Sequence, residues 1–205
     1  MHECFRQYQT GEESGFTIAE FLISACILLI VSAAVFGILA EVQRTASYQA
    51  EVQSVLNNTR IAMQTIERYI RQAGNDPLGC GLAGIFIAAP AEVGIRSDLT
   101  GSLGPSSPDK GDPDGDIADS GENVIIRLNR TNGTLEVVSG GSAQLVANYI
   151  SGLSLQYYDA IGNITASGPD VRKISVTISG SSLLPDPQTH RVFAVRLNSV
   201  FEIST

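Results

Sequence analysis

The sequence predicts an α+β fold: one long N-terminal helix, apolar in its first half and amphipathic in its second, packed against an antiparallel β-sheet. Three observations carry this expectation. Residues 21–40 hold no charged side chain over 20 positions. Residues 42–73 contain neither Pro nor Gly and repeat apolar residues at helical spacing. Beyond residue 123, short runs alternate apolar with polar residues, the period of a strand with one buried face.

The apolar run, Phe21 to Ala40, spans a hydrocarbon core of roughly 30 Å at a rise of about 1.5 Å per residue. It exceeds the roughly 7–15 residues of a secretory apolar region, and no basic segment precedes it. The expectation is a membrane helix. Lys and Arg are not clearly enriched on either flank, so charge asymmetry does not set its orientation. Glu20 is the one charged side chain between Gly15 and Glu41. A carboxylate at the mouth of such a helix is costly in lipid, and something must offset that cost.

The second half continues the helix. Tyr48, Val52, Val55, Met63, Ile66 and Ile70 form an apolar stripe, with Leu56 and Ala62 beside it. Gln43, Arg44, Gln53, Asn57, Arg60, Gln64, Glu67, Arg68 and Arg71 fill the opposite face. Gly74-Asn75-Asp76-Pro77 supplies a C-terminal Gly and a following Pro, a stop signal. A continuous helix from Phe16 to Ala73 is expected.

The cover for the stripe lies further on. Val124, Ile126 and Leu128 alternate with Ile125, Arg127 and Asn129. Asn132-Gly133 is a strong hairpin signal returning the chain into Leu135 and Val137. Leu153, Leu155 and Tyr157 alternate, as do Ile174, Val176 and Ile178, and Phe193, Val195 and Leu197 form the inner face of a last strand. Tyr157 is expected in the core and Tyr158 at the surface. Residues 97–122 differ: 19 of these 26 are Gly, Pro, Ser or Asp, the composition of a long loop. The expected organisation is a leader at 1–15, a membrane helix at 16–40, and an amphipathic helix at 41–75. A Gly/Pro/Asp-rich connecting region at 76–122 and a β-sheet domain at 123–205 complete it.

Charge and chemistry narrow the function. The net charge is −8, and −6 without the first fifteen residues, which carry Arg6 against Glu3, Glu12 and Glu13. Such a chain is poorly suited to nucleic acid, whose phosphates need clustered Lys and Arg. Cys4, Cys26 and Cys80 are too scattered for a disulfide framework or a metal site, and Cys80 is expected to be a buried or idle thiol. His190 is the only histidine beyond the leader and no nucleophile or nucleotide motif accompanies it. Enzymatic activity is not expected.

One loop could bind an ion. Asp109, Asp112, Asp114, Asp116, Asp119 and Glu122 fall within 14 residues, broken by Gly111, Gly115 and Gly121. Alternating carboxylates suit Ca²⁺, which takes six to eight oxygen ligands. The EF-hand pattern is not met, since Ile117 and Asn123 stand where its Gly and Glu belong. The choice lies between a solvated acidic loop and a Ca²⁺ site built from Asp112, Asp114, Asp116 and Asp119.

Gly15-Phe16-Thr17-Ile18-Ala19-Glu20, followed by the apolar run and the amphipathic helix, resembles the N-terminus of type IV prepilins and type II secretion pseudopilins. Arg71-Gln72-Ala73-Gly74-Asn75-Asp76-Pro77 resembles the signature of the W-class (PilW-like) minor pilins. The resemblance covers about 60 N-terminal residues closely and the rest by layout only. It implies a pilin-like fold, cleavage between Gly15 and Phe16 by a prepilin peptidase, and N-methylation of Phe16. It further implies that Glu20 acts in assembly, pairing with the new amine of a neighbouring subunit. The implied partners are other pilins or pseudopilins and an inner-membrane assembly platform. The implied location is the bacterial inner membrane with the C-terminal domain outside the cytoplasm, then a pilus or pseudopilus. Two features depart from the pattern: residues 1–15 carry a net charge of −2 where such leaders are basic, and Gly37 occupies the region where many major pilins have Pro. A J-class pseudopilin and an uncleaved single-span binding domain are the competing expectations.

Overall fold

The computed structural model describes residues 15, 17–101 and 111–203. Expectations placed on residues 1–14 (Cys4 among them), on Phe16 and on Asp109 lie outside the described residues. The chain divides into two compact units, Met1–Thr45 and Ala46–Thr205.

A single helix, α1 (Ile18–Gln72), begins in the first unit and ends in the second. Within the first unit its apolar side chains, from Ile18, 82% exposed, to Val42, face outward all round. Residues buried on no side mark a helix built for an apolar solvent or for packing with other chains. The helix is long and apolar enough to cross a membrane.

In the second unit, α1 buries Val55, Thr59, Ala62, Met63, Ile66 and Ile70. Tyr48, Val52 and Leu56 of the expected stripe are half-buried. The stripe lands on β-structure, as the alternating pattern requires. Five strands form one antiparallel sheet in sequence order: β1 (Ile85–Ala89), β2 (Glu92–Arg96), β3 (Asn123–Asn129), β4 (Thr134–Ser139) and β5 (Ser142–Ala147). Three more, β6 (Ile150–Tyr158), β7 (Lys173–Pro185) and β8 (Val192–Glu202), form a second. The architecture is the α+β arrangement of one long N-terminal helix against antiparallel sheets, consistent with a pilin-like fold.

Three details differ from the sequence expectation. The helix runs from Ile18 to Gln72 rather than Phe16 to Ala73. The region 76–122 is not all connection, because it contains the β1–β2 hairpin, joined at Pro90-Ala91 and paired through Val93 with Ile126 of β3. There are two sheets rather than one. The chain leaves β5 at Ala147 and passes through Tyr149 at φ 63 before starting β6. At this switch the Asn148 N–H donates to Asn58 Oδ1 of α1 (3.0 Å), so the crossing is tied to the helix.

One core serves all three layers. Ala62, Met63, Ile66 and Ile70 of α1 pack with Val93, Ile95, Val124, Ile126, Leu135 and Val137 of the larger sheet. Leu153, Leu155, Tyr157, Ile174, Val176, Ile178 and Phe201 join from the smaller sheet. The faces read from the sequence are those found, although Phe193, Val195 and Leu197 of β8 are only half-buried. The expected turn at Asn132-Gly133 joins β3 to β4, with Gly133 at φ 63, a conformation that favours glycine. Tyr157 is in the core and its hydroxyl crosses between sheets, 2.8 Å from the Ala89 carbonyl oxygen and 3.0 Å from that of Glu92.

Candidate functional site

The sequence nominates two places, the N-terminus of α1 and the acidic loop, with the helix C-terminus connected to the second. At the N-terminus, Thr17 precedes the first helical residue and Glu20 stands three positions on. The Thr17 N–H and hydroxyl both donate to Glu20 Oε2 (2.9 and 3.0 Å), while Thr17 Oγ1 accepts the Glu20 N–H (3.3 Å). This is a capping box, which satisfies two N–H groups that a helix start otherwise leaves open. The negative charge also lies at the positive end of the helix dipole. These contacts partly offset the cost noted for Glu20. Thr17 was legible, since Thr-x-x-Glu before an apolar run is a helix-start signature, and the sequence reading passed over it. Gly15 is exposed with open space around its Cα. Both Thr17 bonds fall on Oε2, and Oε1 accepts no hydrogen bond from a described residue.

The segment Arg71–Pro77 closes the other end. Gly74 takes φ 76, the left-handed turn that ends many helices. Its N–H donates to the Arg96 carbonyl oxygen at the end of β2 (3.0 Å). Asn75 and Asp98 are joined twice: the Asp98 N–H donates to the Asn75 carbonyl, and Asn75 Nδ2 donates to the Asp98 carbonyl, each at 2.8 Å. The Asp76 carboxylate accepts the N–H groups of Cys80 (2.9 Å), Gly81 (2.7 Å) and Leu82 (3.0 Å). These bonds, Leu82 and Cys80 foremost, hold its carboxyl below the ordinary value. Arg71 pairs with Glu67 one turn earlier (2.7 Å). Cys80 is exposed rather than buried, and Cys26 and Cys80 are both free thiols.

Asp98 carries the motif into the acidic loop. Its Oδ2 accepts the Gly115 N–H (3.0 Å). Glu122, 1% exposed, organises the loop: Oε1 accepts the N–H groups of Leu99 and Thr100 (both 2.8 Å) and Oε2 that of Asp119 (3.2 Å). The four aspartates singled out from the sequence fare differently. Asp112 is exposed. Asp114 Oδ1 accepts the Asp116 N–H (3.1 Å), and Asp116 Oδ1 accepts the Ala118 N–H (2.7 Å). Asp119 is half-buried. Among the described residues, no three His, Cys, Asp or Glu side chains gather closely enough to hold a metal ion by themselves. Asp98 and Glu122 are the buried acids here. The sequence reading missed Asp98, which lies 14 residues before Asp112 with no pattern linking them.

Open clefts lie elsewhere. One of about 500 Å³ is lined by Arg130, Asn132, Tyr149, Ser151, Ser181 and Leu183. Compared with known proteins, the chain matches no protein-family model, and no curated protein is significantly similar to it in sequence.

Proposed function

We propose that the chain is a filament-assembly subunit, a minor pilin of a type IV pilus, cleaved between Gly15 and Phe16 and assembled through the N-terminal half of α1. The observation that carries this is a helix exposing Ile18, Phe21, Leu22, Ile23, Ile27, Leu28, Leu29, Ile30 and Phe36. It presents one carboxylate, Glu20, five residues beyond the cleavage position. A surface of that kind suits lipid before assembly and the same helices of other subunits after it. Cleavage would create a charged α-amino group at Phe16, and a neighbour's Glu20 would be its counter-ion. In an apolar filament core such a pair sets register more than it adds stability. In Arg71–Pro77, Gly74, Asn75 and Asp76 each make a position-specific bond, in keeping with a signature segment of the W-class type.

The capping box favours one competing reading, an uncleaved membrane-anchored binding domain in which Glu20 serves only its own helix. Two variants separate them. A capping box accepts Gln as well as Glu, so Glu20→Gln keeps the box and removes the charge, whereas Thr17→Ala removes the box and keeps the charge. For an assembly subunit, Glu20→Gln abolishes incorporation into filaments and Thr17→Ala spares it. For an anchored domain Glu20→Gln is silent. N-terminal mass spectrometry of the membrane-extracted protein decides processing: N-methylated Phe16 is expected, and an intact residue 1–15 segment on filament-associated protein refutes the proposal.

A further inference from the structure

Among the described residues, two buried carboxylate oxygens in the acidic loop have no hydrogen-bond partner. Asp98 is 1% exposed, and while Oδ2 takes the Gly115 N–H, Oδ1 accepts no hydrogen bond. Asp119 Oδ2 is likewise buried and unpartnered. Glu122 shows what this loop does with a buried acid whose needs are met, since its two oxygens take three backbone N–H groups. Native proteins rarely leave such acceptors empty, because desolvating a carboxylate without a partner is costly.

Glu122 links the two segments that carry these acids. Glu122 ties Leu99 and Thr100 to Asp119 through its two oxygens, and the Ser97 N–H donates to the Glu122 carbonyl (3.0 Å). Asp98 reaches across to Gly115, between Asp114 and Asp116. No basic side chain among the described residues neutralises them. Arg96 lies two positions before Asp98, but its guanidinium sits over the Phe86 ring (4.3 Å to the centroid) and its Nε is itself buried without a partner.

We propose that Asp98 and Asp119 hold a divalent cation, Ca²⁺, that ties the Asp119 segment to the end of β2. The donors are hard carboxylate oxygens, which select Ca²⁺ or Mg²⁺ over softer metals. With only two carboxylates, backbone carbonyls and water complete the shell, as Ca²⁺ tolerates and the stricter octahedron of Mg²⁺ does not. Asp112, Asp114 and Asp116 stand outside the shell and contribute negative potential. Few charged ligands make a weak site, with Kd on the order of 10⁻⁴–10⁻³ M, the range of extracellular modules. The cation would bind beside the Asn75–Asp98 bonds and brace the C-terminus of α1. The site does not depend on the filament assignment.

The test uses the full chain in detergent, stripped with chelator and titrated with CaCl₂, with melting followed by far-UV circular dichroism. Wild type is expected to melt at higher temperature as Ca²⁺ rises, with MgCl₂ much less effective. Asp98→Asn and Asp119→Asn are expected to weaken the response at least tenfold, and Asp112→Asn to leave it unchanged. Without Ca²⁺, Asp98→Asn should melt at or above the wild-type temperature, because it removes a buried charge; this separates loss of the site from misfolding. Absence of a Ca²⁺ response in wild type overturns the proposal. So does a response that survives both substitutions, or one lost with Asp112→Asn alone.

Discussion

At Gly180 β7 lies close against α1, and replacing it with Ala tests how tightly the two are fitted. A Cβ there would lie 2.3 Å from Thr59 Oγ1, 3.1 Å from Val55 Cγ1 and 3.3 Å from the Tyr149 carbonyl oxygen. Thr59 is fully buried, and its hydroxyl already donates to the Val55 carbonyl (2.7 Å). The new methyl must therefore displace that hydroxyl or push the helix from the sheet. Overpacking of this kind costs about 1–3 kcal/mol, against a gain of about 0.5–1 kcal/mol for replacing Gly in a strand. Contacts this close put the cost in the upper part of that range, about 2–3 kcal/mol, so the expected net is a loss of about 1–2 kcal/mol. Thr59→Ala removes the obstructing oxygen at a cost of about 1 kcal/mol for its hydrogen bond, softened by the better helix propensity of Ala. In that background Gly180→Ala should be neutral or stabilising, giving a favourable coupling of about 1–2 kcal/mol in a double-mutant cycle. Urea unfolding followed by circular dichroism, or by the fluorescence of the six tyrosines in a chain without tryptophan, measures each corner. A cost below about 0.5 kcal/mol for the single variant, or equal costs in both backgrounds, refutes the close-contact reasoning.

Tyr157→Phe should cost about 1–3 kcal/mol, because the buried carbonyls of Ala89 and Glu92 lose their shared donor. Burial holds the Tyr157 phenol well above its ordinary value of 10.0. The stability it contributes is fully present below pH 10.0 and is lost as pH rises beyond it, where the unfolded phenol ionises first. Tyrosinate absorbance should show one late-ionising residue, absent from the Phe variant. The Asp76 carboxyl is shifted the opposite way. Its contribution is present above its ordinary value of 3.8 and is lost as pH falls through the lower folded value. Protection of the Cys80, Gly81 and Leu82 amides, read as exchange relative to the intrinsic rate at each pH, should fall in acid and in Asp76→Ala at neutral pH; unchanged protection in that variant would show the turn stands without it.

What was legible in the sequence was local. Val55, Met63, Ile66 and Ile70 declare their shared face by spacing alone, and the strands around Ile126, Leu155 and Val176 declare theirs by alternation. The β1–β2 hairpin escaped because Ile85–Ala89 is a short run and the Pro90-Ala91 joint beside a Gly-rich stretch reads as loop. β5 escaped because most of its residues are exposed, so no inward face is marked. Two sheets looked like one because the break falls at Tyr149, whose positive φ is unusual for a non-glycine residue. At the sites the same division holds. Glu20 and Thr17 were open to sequence reasoning because their chemistry lies within one helical turn. Asp98 was not, because a buried oxygen is defined by what the tertiary fold leaves around it.

The contacts that hold α1 within Ala46–Thr205 have an order that bears on how a filament subunit would carry load. Its middle is held by non-directional apolar packing through Ala62, Met63, Ile66 and Ile70. Directional bonds sit at either end. At the start, Glu51 accepts the N–H groups of Leu183 and Leu184 from β7, the latter at 3.1 Å. Asn58 meets Asn148 about two turns later. At the finish, Gly74 and Asn75 bond to Arg96 and Asp98. Apolar packing alone resists sliding along the helix axis weakly, since ridges can shift by a turn with little change in buried area. Polar bonds to backbone groups of both sheets cannot shift so, because each is lost before another forms. A subunit drawn by its N-terminal helix would thus pass tension first to β7 of the smaller sheet through Glu51. Its directional bonds to the end of β2, in the larger sheet, come at the Gly74–Asp98 end. That end is the one a Ca²⁺ ion at Asp98 would brace, which gives the two proposals a shared mechanical logic while leaving each to its own test.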